Sequence, residues 1–450
     1  MSRKRWILLL VIAAILVFGY IKLFYKTWTE QAVAASADQV LVIDVKRVTN
    51  TLLWQLLTSP GDWKFSNPFA KKSKDTSWRD MIRIPDYLFA FHSKGQPPGT
   101  WYALLDIKSK TGFDACLKKF GFRRLSENEF TNDSTGVYLF VQQDKMLAAR
   151  AGGADSNLVR QVASELFTRN KFMARAELQK AVDAKSHLAV YISPGNMLKE
   201  AGILTANFNR ESIKINGLLM PAEQYAFNEE EFSYSTSSVA NVCFTQPSQP
   251  LFGSLDSTTR EKISKAVNLH ADSLLLPGNR SYSLVLQDIK ERADSAISYT
   301  FDDDFNKVEK LVVNNIQEPS FCFVINGKNT AALHAYLLRN NKLEHTAEGE
   351  LFLPMPLVKS YCREETGGAL SITAFNYLPS PADTHTKAVF FLRLSFSRIP
   401  GNLLRYLPGS LAESTGRLDE LFIQVSRKEQ QLQVTGMLTK NKNSPSLIRF

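Results

Sequence analysis

The side chains able to do chemistry are scattered rather than clustered. Six histidines, His92, His187, His270, His334, His345 and His385, occur without an H-E-x-x-H or H-x-H spacing, so no pair is pre-set for a metal. His270 has Asp272 two residues away, and Asp383 stands two residues before His385. Metal sites use such neighbours, yet a third ligand is not evident, and surface histidines are the simpler reading. There is no G-x-S-x-G or S-x-x-K, so an activated serine has no local support. Asp302, Asp303 and Asp304 with Asn306 suggest calcium, but Lys307 and Val313 stand where an EF-hand loop needs Gly and Glu. Helix capping explains that triplet. Glu229, Glu230 and Glu231 read as a solvated run, and Ala151-Gly152-Gly153 lacks the spacing of a phosphate-cradling loop. No catalytic, cofactor-binding or metal-binding residue is assigned, and no cofactor is expected.

Four cysteines, Cys116, Cys243, Cys322 and Cys362, lie far apart with no C-x-x-C. That is neither a zinc site nor a disulfide-dense scaffold. Cys243 and Cys322 sit in apolar runs, where a disulfide and two buried thiols are both open. Asn132-Asp133-Ser134 and Asn279-Arg280-Ser281 fit the glycosylation pattern, which also arises by chance.

Residues 39–45 (QVLVIDV) read as a buried strand, followed by a helix over 48–58 with Val48, Leu52, Leu53, Leu56 and Leu57 on its apolar face. Residues 87–92 and 101–107 flank a Gly/Pro-rich turn as an antiparallel hairpin. In the helix over 112–120, Phe113, Cys116, Leu117 and Phe120 are spaced i, i+3, i+4, i+7, and Gly121 ends it in the left-handed conformation. Helices over 157–168 and 175–183 lead to a strand over 187–193, with a short helix after Pro194-Gly195. The span 205–250 is largely polar and shows no clear period. In the second half the pattern predicts a helix over 258–267, a hairpin of 282–289 and 296–301, and a helix bearing Phe305, Val308, Leu311 and Val312. A strand over 321–325, a helix over 330–340 and a closing hairpin of 421–425 with 432–438 follow.

The stretch from Trp6 to Tyr25, WILLLVIAAILVFGYIKLFY, carries only Lys22 as a charge. As a helix it would reach roughly 30 Å, the thickness of a bilayer's hydrocarbon core. Arg3, Lys4 and Arg5 before the charge-free run from Trp6 to Ile21, against Lys22 and Lys26 after it, predict a cytoplasmic amino terminus. The expectation is a single-pass inner-membrane protein with its folded domains in the periplasm. A cleavable signal is the rival, with small-residue sites at Ala32-Val33-Ala34 and Ala35-Ser36-Ala37. Those sites lie far past the apolar run, which favours an uncleaved anchor.

The net charge is +10, with 44% hydrophobic and 11% aromatic residues, enough to bury real cores. Lys64, Lys71, Lys72, Lys74, Arg79 and Arg83 form the densest basic stretch, suited to an anionic surface or simply to solvent. Nucleic acid is disfavoured, because no base-stacking motif accompanies the charge. The expected layout is a tip at 1–5, an anchor at 6–25, a linker at 26–37, an α+β module at 38–245, a linker at 246–250, a second module at 251–440 and a polar tail at 441–450. The fold class is thus α+β, a single amino-terminal transmembrane helix followed by two related modules of antiparallel sheet with packed helices.

Relatedness of the modules rests on two alignments. YALLDIKSKTGFDACLKKFG (102–121) aligns without gaps to CFVINGKNTAALHAYLLRNN (322–341), and ISPGNMLK (192–199) resembles RIPGNLLR (398–405). The offsets, 220 and 206, fit one duplication. With the Val40-Leu41-Val42-Ile43-Asp44 strand running into Leu52-Leu53-Trp54, this layout resembles uncharacterised membrane-anchored envelope proteins of Bacteroidota. That resemblance implies repeated α+β modules facing the periplasm and supplies no active site. The leading expectation is a non-enzymatic membrane-anchored protein for binding or scaffolding, held to the lipid bilayer through Trp6 to Tyr25 and partnered by an envelope protein, glycan or lipid. The alternatives are a tethered hydrolase built from His270, Asp272, Asp383 and His385, or a lipid-handling protein.

Overall fold

The structure is a computed structural model and describes residues 20, 23–62, 78–97, 99–150, 156–195, 197–247, 257–267, 279–301, 305–355, 358–401, 403, 415–442 and 444. The chain divides into an amino-terminal lobe, 1–220 with 445–450, and a carboxy-terminal lobe, 221–444.

In the first lobe the strands are β1 (Ala37–Asp44), β2 (Ile82–Arg83), β3 (Tyr87–Ser93), β4 (Trp101–Ile107), β5 (Arg123–Arg124), β6 (Glu129–Asn132), β7 (Val137–Gln142), β8 (Lys145–Arg150), β9 (Leu188–Ile192), β10 (Gly202–Phe208) and β11 (Ser212–Leu219). They pair antiparallel in the order β11-β10-β9-β1-β3-β4-β8-β7-β6-β5, with β2 beside the far end of β4. The helices are α1 (Val45–Thr58), α2 (Trp78–Met81), α3 (Phe113–Lys119), α4 (Ser156–Ala163) and α5 (Arg175–Asp183), with α4 running on as a π turn over Ser164–Thr168. On one sheet face Val159, Val162, Leu166 and Leu178 pack against Val40, Phe91, Tyr102 and Leu147. On the other, Phe113, Cys116 and Leu117 of α3 cover Phe130, Leu139 and Met146. A sheet buried on both faces shows little polar alternation, which is why β8 reads as an unbroken apolar run.

The second lobe contains β12 (Glu230–Tyr234), β13 (Ala240–Thr245), β14 (Asn279–Phe301), β15 (Lys307–Gly327), β16 (Leu343–Thr346), β17 (Gly349–Phe352), β18 (Ser360–Glu365), β19 (Ala369–Ala374), β20 (Thr384–Ala388), β21 (Phe390–Ser395), β22 (Leu418–Lys428) and β23 (Gln431–Lys440). Its helices are α6 (Ser257–Val267) and α7 (Thr330–Arg339). The sheet order is β23-β22-β21-β13-β14-β15-β19-β18-β17-β16, again antiparallel. Strand for strand, this is the neighbour sequence of the first lobe, with α6 and α7 falling where α1 and α3 fall. One cover differs: β12 pairs with β20 as a separate ribbon and sets Phe232 and Ala388 against Cys243 and Phe391.

The ends of α3 and α7 match bond for bond. Phe122 N–H donates to Leu117 O and Lys342 N–H to Leu337 O, both at 2.9 Å. Gly121 N–H donates to Lys118 O at 3.0 Å and Asn341 N–H to Leu338 O at 3.1 Å. Gly121 and Asn341 have φ of 77° and 51°. Both ends are Schellman motifs closed by a residue that tolerates the left-handed region.

Several expectations are corrected. The fold is not a helix-packed α+β arrangement behind a transmembrane helix, because antiparallel sheet dominates, with 48% strand against 21% helix. Of the stretch from Trp6 to Tyr25, the described residues are Tyr20, Leu23, Phe24 and Tyr25, and the rest lies outside the described residues. Among the described residues no helix is long and apolar enough to cross a membrane, so the single-pass inner-membrane placement is withdrawn. The carboxy-terminal end of that stretch docks on the first lobe instead: Asn50 Nδ2 donates to Leu23 O at 2.8 Å, and Lys46 Nζ donates to Tyr25 O. Within the expected linker at 26–37, Val33 and Ala34 are core residues.

The helix expected through Val308, Leu311 and Val312 is part of β15. A spacing of three and four over so few residues fits either period, and the β-branched side chains with partners across β14 decide for strand. No helix follows Pro194-Gly195 among the described residues. The span 205–250, unreadable by period, holds most of β10 and all of β11, β12 and β13. The lobes divide at Met220 and Pro221, whereas the expected linker was 246–250.

Candidate functional site

The histidine–carboxylate pairs do not assemble a site. His270 and Asp272 lie outside the described residues. Asp383 accepts from Thr236 N–H at 2.9 Å and from the Thr236 hydroxyl, and these bonds hold its carboxyl below the usual range. It therefore serves as a turn brace. His385 Nδ1 meets Ser233 Oγ at 2.9 Å and Glu231 Oε1 at 4.0 Å. Both partners use the same ring nitrogen on an exposed ribbon, so no serine–histidine–carboxylate relay exists there. Among the described residues no three ligating side chains are gathered to hold a metal.

A concave site does form in the first lobe, from residues to which the sequence assigns no shared site. Arg47, Asn50, Thr51, Trp54, Gln55 and Thr58 follow helical spacing along one face of α1, and Phe24, Lys26, Phe208, Asn209 and Arg210 complete a cleft of about 680 Å³. Each wall has a local cause. Asp44 ends β1 and caps α1, accepting from Arg47 N–H at 2.8 Å. The turn from β10 to β11 is an Asx turn, in which Asn209 Oδ1 accepts from Glu211 N–H at 2.8 Å and Ser212 N–H at 2.7 Å. That turn carries Arg210 to the cleft.

The lining has three cations, Lys26, Arg47 and Arg210, and no carboxylate. Beneath it, buried Asp44 binds Lys26 directly and faces Arg47 Nε at 3.6 Å. One carboxylate shared by two cations leaves a positive excess, beside the aromatic rings of Phe24, Trp54 and Phe208. Such a site can hold an anionic group next to an apolar or aromatic body. Among the lining side chains there is no cysteine, serine, histidine or carboxylate to serve as nucleophile or base. Sequence reading missed the cleft because its cations come from three separated segments, one inside the unassigned polar span.

His187 lies under the same wall. Its Nε2 meets Thr51 Oγ1 at 2.7 Å, its Nδ1 accepts from Phe208 N–H at 3.2 Å, and its ring stacks on Phe208 at 5.1 Å. Burial pushes the imidazole below its ordinary value. As pH falls, the unfolded chain takes up this proton first, so the neutral ring's contribution holds above about pH 6.5 and is lost below it. Thermal unfolding should show a lower Tm at acid than at neutral pH, and His187→Gln should shrink that difference. An unchanged difference would show that His187 is not responsible.

Other chemically able groups are committed elsewhere. His334 binds Glu350 through Nε2 at 2.5 Å and Glu364 through Nδ1 at 3.2 Å, while His345 faces Glu350 at 3.4 Å. The four cysteines are free. Strand β14 runs between Cys243 on β13 and Cys322 on β15, two spacings of about 4.8 Å, beyond disulfide reach. Burial pushes both thiols up, and it raises Cys362 to about 12 with help from Glu350 and Glu364, so these three are poor nucleophiles. Asn132, in a glycosylation triplet, is buried and donates to Phe120 O at 2.7 Å.

No protein-family model and no curated protein matches the chain. A solved structure titled "Structure of crystal form I of TP0453" aligns with 55% of this chain and 88% of its own, at 10% identity and a TM-score of 0.26. A likeness at that score carries no inference about fold or function.

Proposed function

We propose that this is a binding protein rather than a catalyst, built from two lobes that descend from one duplicated module. The matching sheet orders and the matching ends of α3 and α7 support the duplication. The first lobe takes an anionic molecule with an apolar or aromatic body into the α1 cleft, and the second lobe adds a binding or scaffolding surface. The observation that carries the reading is three cations and three aromatic rings around one carboxylate-free cleft.

Calorimetric titration with dodecyl phosphate, dodecyl maltoside and inorganic phosphate tests it. Dodecyl phosphate should bind best, because only it satisfies both parts of the lining. Arg47→Gln with Arg210→Gln should weaken it about tenfold or more. Equal binding of the neutral detergent, or wild-type affinity in the double variant, would remove the cleft from consideration.

A further inference from the structure

The second lobe extends well past its sheet. β14 spans 23 residues and β15 spans 21, yet β13 pairs with β14 only over Ser281 to Leu286, and β19 pairs with β15 only over Cys322 to Asn326. A bulge between Leu286 and Asp288 marks the exit, and Pro319 stands opposite Ile289 just beyond it. Proline gives no ladder hydrogen, so it suits a strand leaving its sheet. From Ile289 to Phe301 the two strands pair only with each other, a ribbon reaching roughly 40 Å.

Directly opposed residues share a face, so the register sorts the ribbon's side chains. One face carries Ile297 opposite Leu311 and Val313 opposite Ser295, with Tyr299 in the next row. Ile297, Tyr299, Leu311 and Val313 are 61, 53, 66 and 60% exposed. The other face mixes Lys290, Arg292, Ser298, Thr300, Lys310 and Glu318 with Val308, Val312 and Ile316, of which Val308 is 42% exposed and the other two half-buried, and Arg292 pairs with Glu318 at 3.3 Å. A two-stranded ribbon in water is marginal on its own, and four adjacent large apolar side chains on one face call for a cover.

We propose that the cover is the same ribbon of a second copy, packed face to face and antiparallel. The charges on the apolar face select that occupant. Lys307 lies at its outer end, over the Tyr299 ring at 3.8 Å. Glu291 lies at its inner end, accepting from Gln317 Nε2 at 3.4 Å. A two-fold axis between the Ser295 and Ile297 rows sets the Lys307 row over the Glu291 row of the other copy, at both ends. It also stacks Val313 on the Ile297–Leu311 row. A parallel pair would stack Lys307 on its own row and Glu291 on its own row, and like charges would meet. A lipid surface fits worse, because Glu291 and Lys307 would lose water without gaining the opposite charge that a second copy brings, while Glu309, opposite Tyr299, meets only the Ala293–Asn315 row of the other copy.

Light scattering on the full chain should give a dimer at tens of micromolar protein. Ile297→Lys with Leu311→Lys should convert it to a monomer with the same far-ultraviolet spectrum, since both side chains are exposed. A short bismaleimide should crosslink Ser295→Cys but not Ser298→Cys, which lies on the opposite face, nor the wild type. A monomeric wild type, a dimer that survives the double lysine change, or equal crosslinking from both faces would overturn the proposal.

Discussion

Asp44→Ala is expected to destabilise the amino-terminal lobe by about 2–4 kcal/mol and to abolish binding in the α1 cleft. Asp44 is 2% exposed, and three separate bonds converge on it. As the N-cap it satisfies the Arg47 amide, a contribution of about 1 kcal/mol. Its charge also holds Lys26 and Arg47. Those cations are partly exposed, so solvent screening limits that share to about 1–3 kcal/mol. Alanine frees both cations and unpins the first turn of α1, which carries six of the cleft residues. Asp44→Asn keeps an oxygen for the cap and loses the charge, so it should recover part of the stability and, with α1 pinned and the positive excess larger, retain affinity for the anion. Urea unfolding with titration of dodecyl phosphate measures both. A loss under about 0.5 kcal/mol in Asp44→Ala would mean that the shared carboxylate does not organise this wall.

What the sequence disclosed follows from how local each signal is. α5 is bounded at Arg175 and Asp183 as its pattern predicts, and α3 ends at Gly121 because a single φ requirement is written in a single residue. The β22–β23 hairpin is equally local, with a turn between its strands at Glu429. Sheet order is not local. β1 pairs with β9 across more than a hundred intervening residues, and nothing in either strand names the other. The same distance hides the cleft, since Lys26, Arg47 and Arg210 meet only after β1, α1, β9 and β10 are in place. The apolar run ending at Tyr25 shows the opposite failure. A strong local signal predicts a membrane span over its whole length, yet its final residues bond to α1.

Leu117→Ala and Leu337→Ala should each cost about 2–5 kcal/mol, in different lobes and for the same reason. Leu117 and Leu337 are 1% and 0% exposed, and each supplies the carbonyl that closes its Schellman motif. Truncation at either place leaves a cavity between helix and sheet that the rigid helix end cannot collapse into. The caps should then separate the lobes. Gly121→Ala forces a β-carbon into φ of 77° and should cost about 1 kcal/mol. Asn341→Gly relaxes φ of 51° and should be near neutral. Hydrogen exchange gives the location: Leu117→Ala should loosen α3 with β6, β7 and β8, and Leu337→Ala should loosen α7 with β17, β18 and β19. Because the same pair of joints would then fail in the same pattern, this experiment reads the two lobes as one mechanical design. If one change spread across its whole lobe while the other stayed local, the shared strand order would not extend to a shared way of holding the helix.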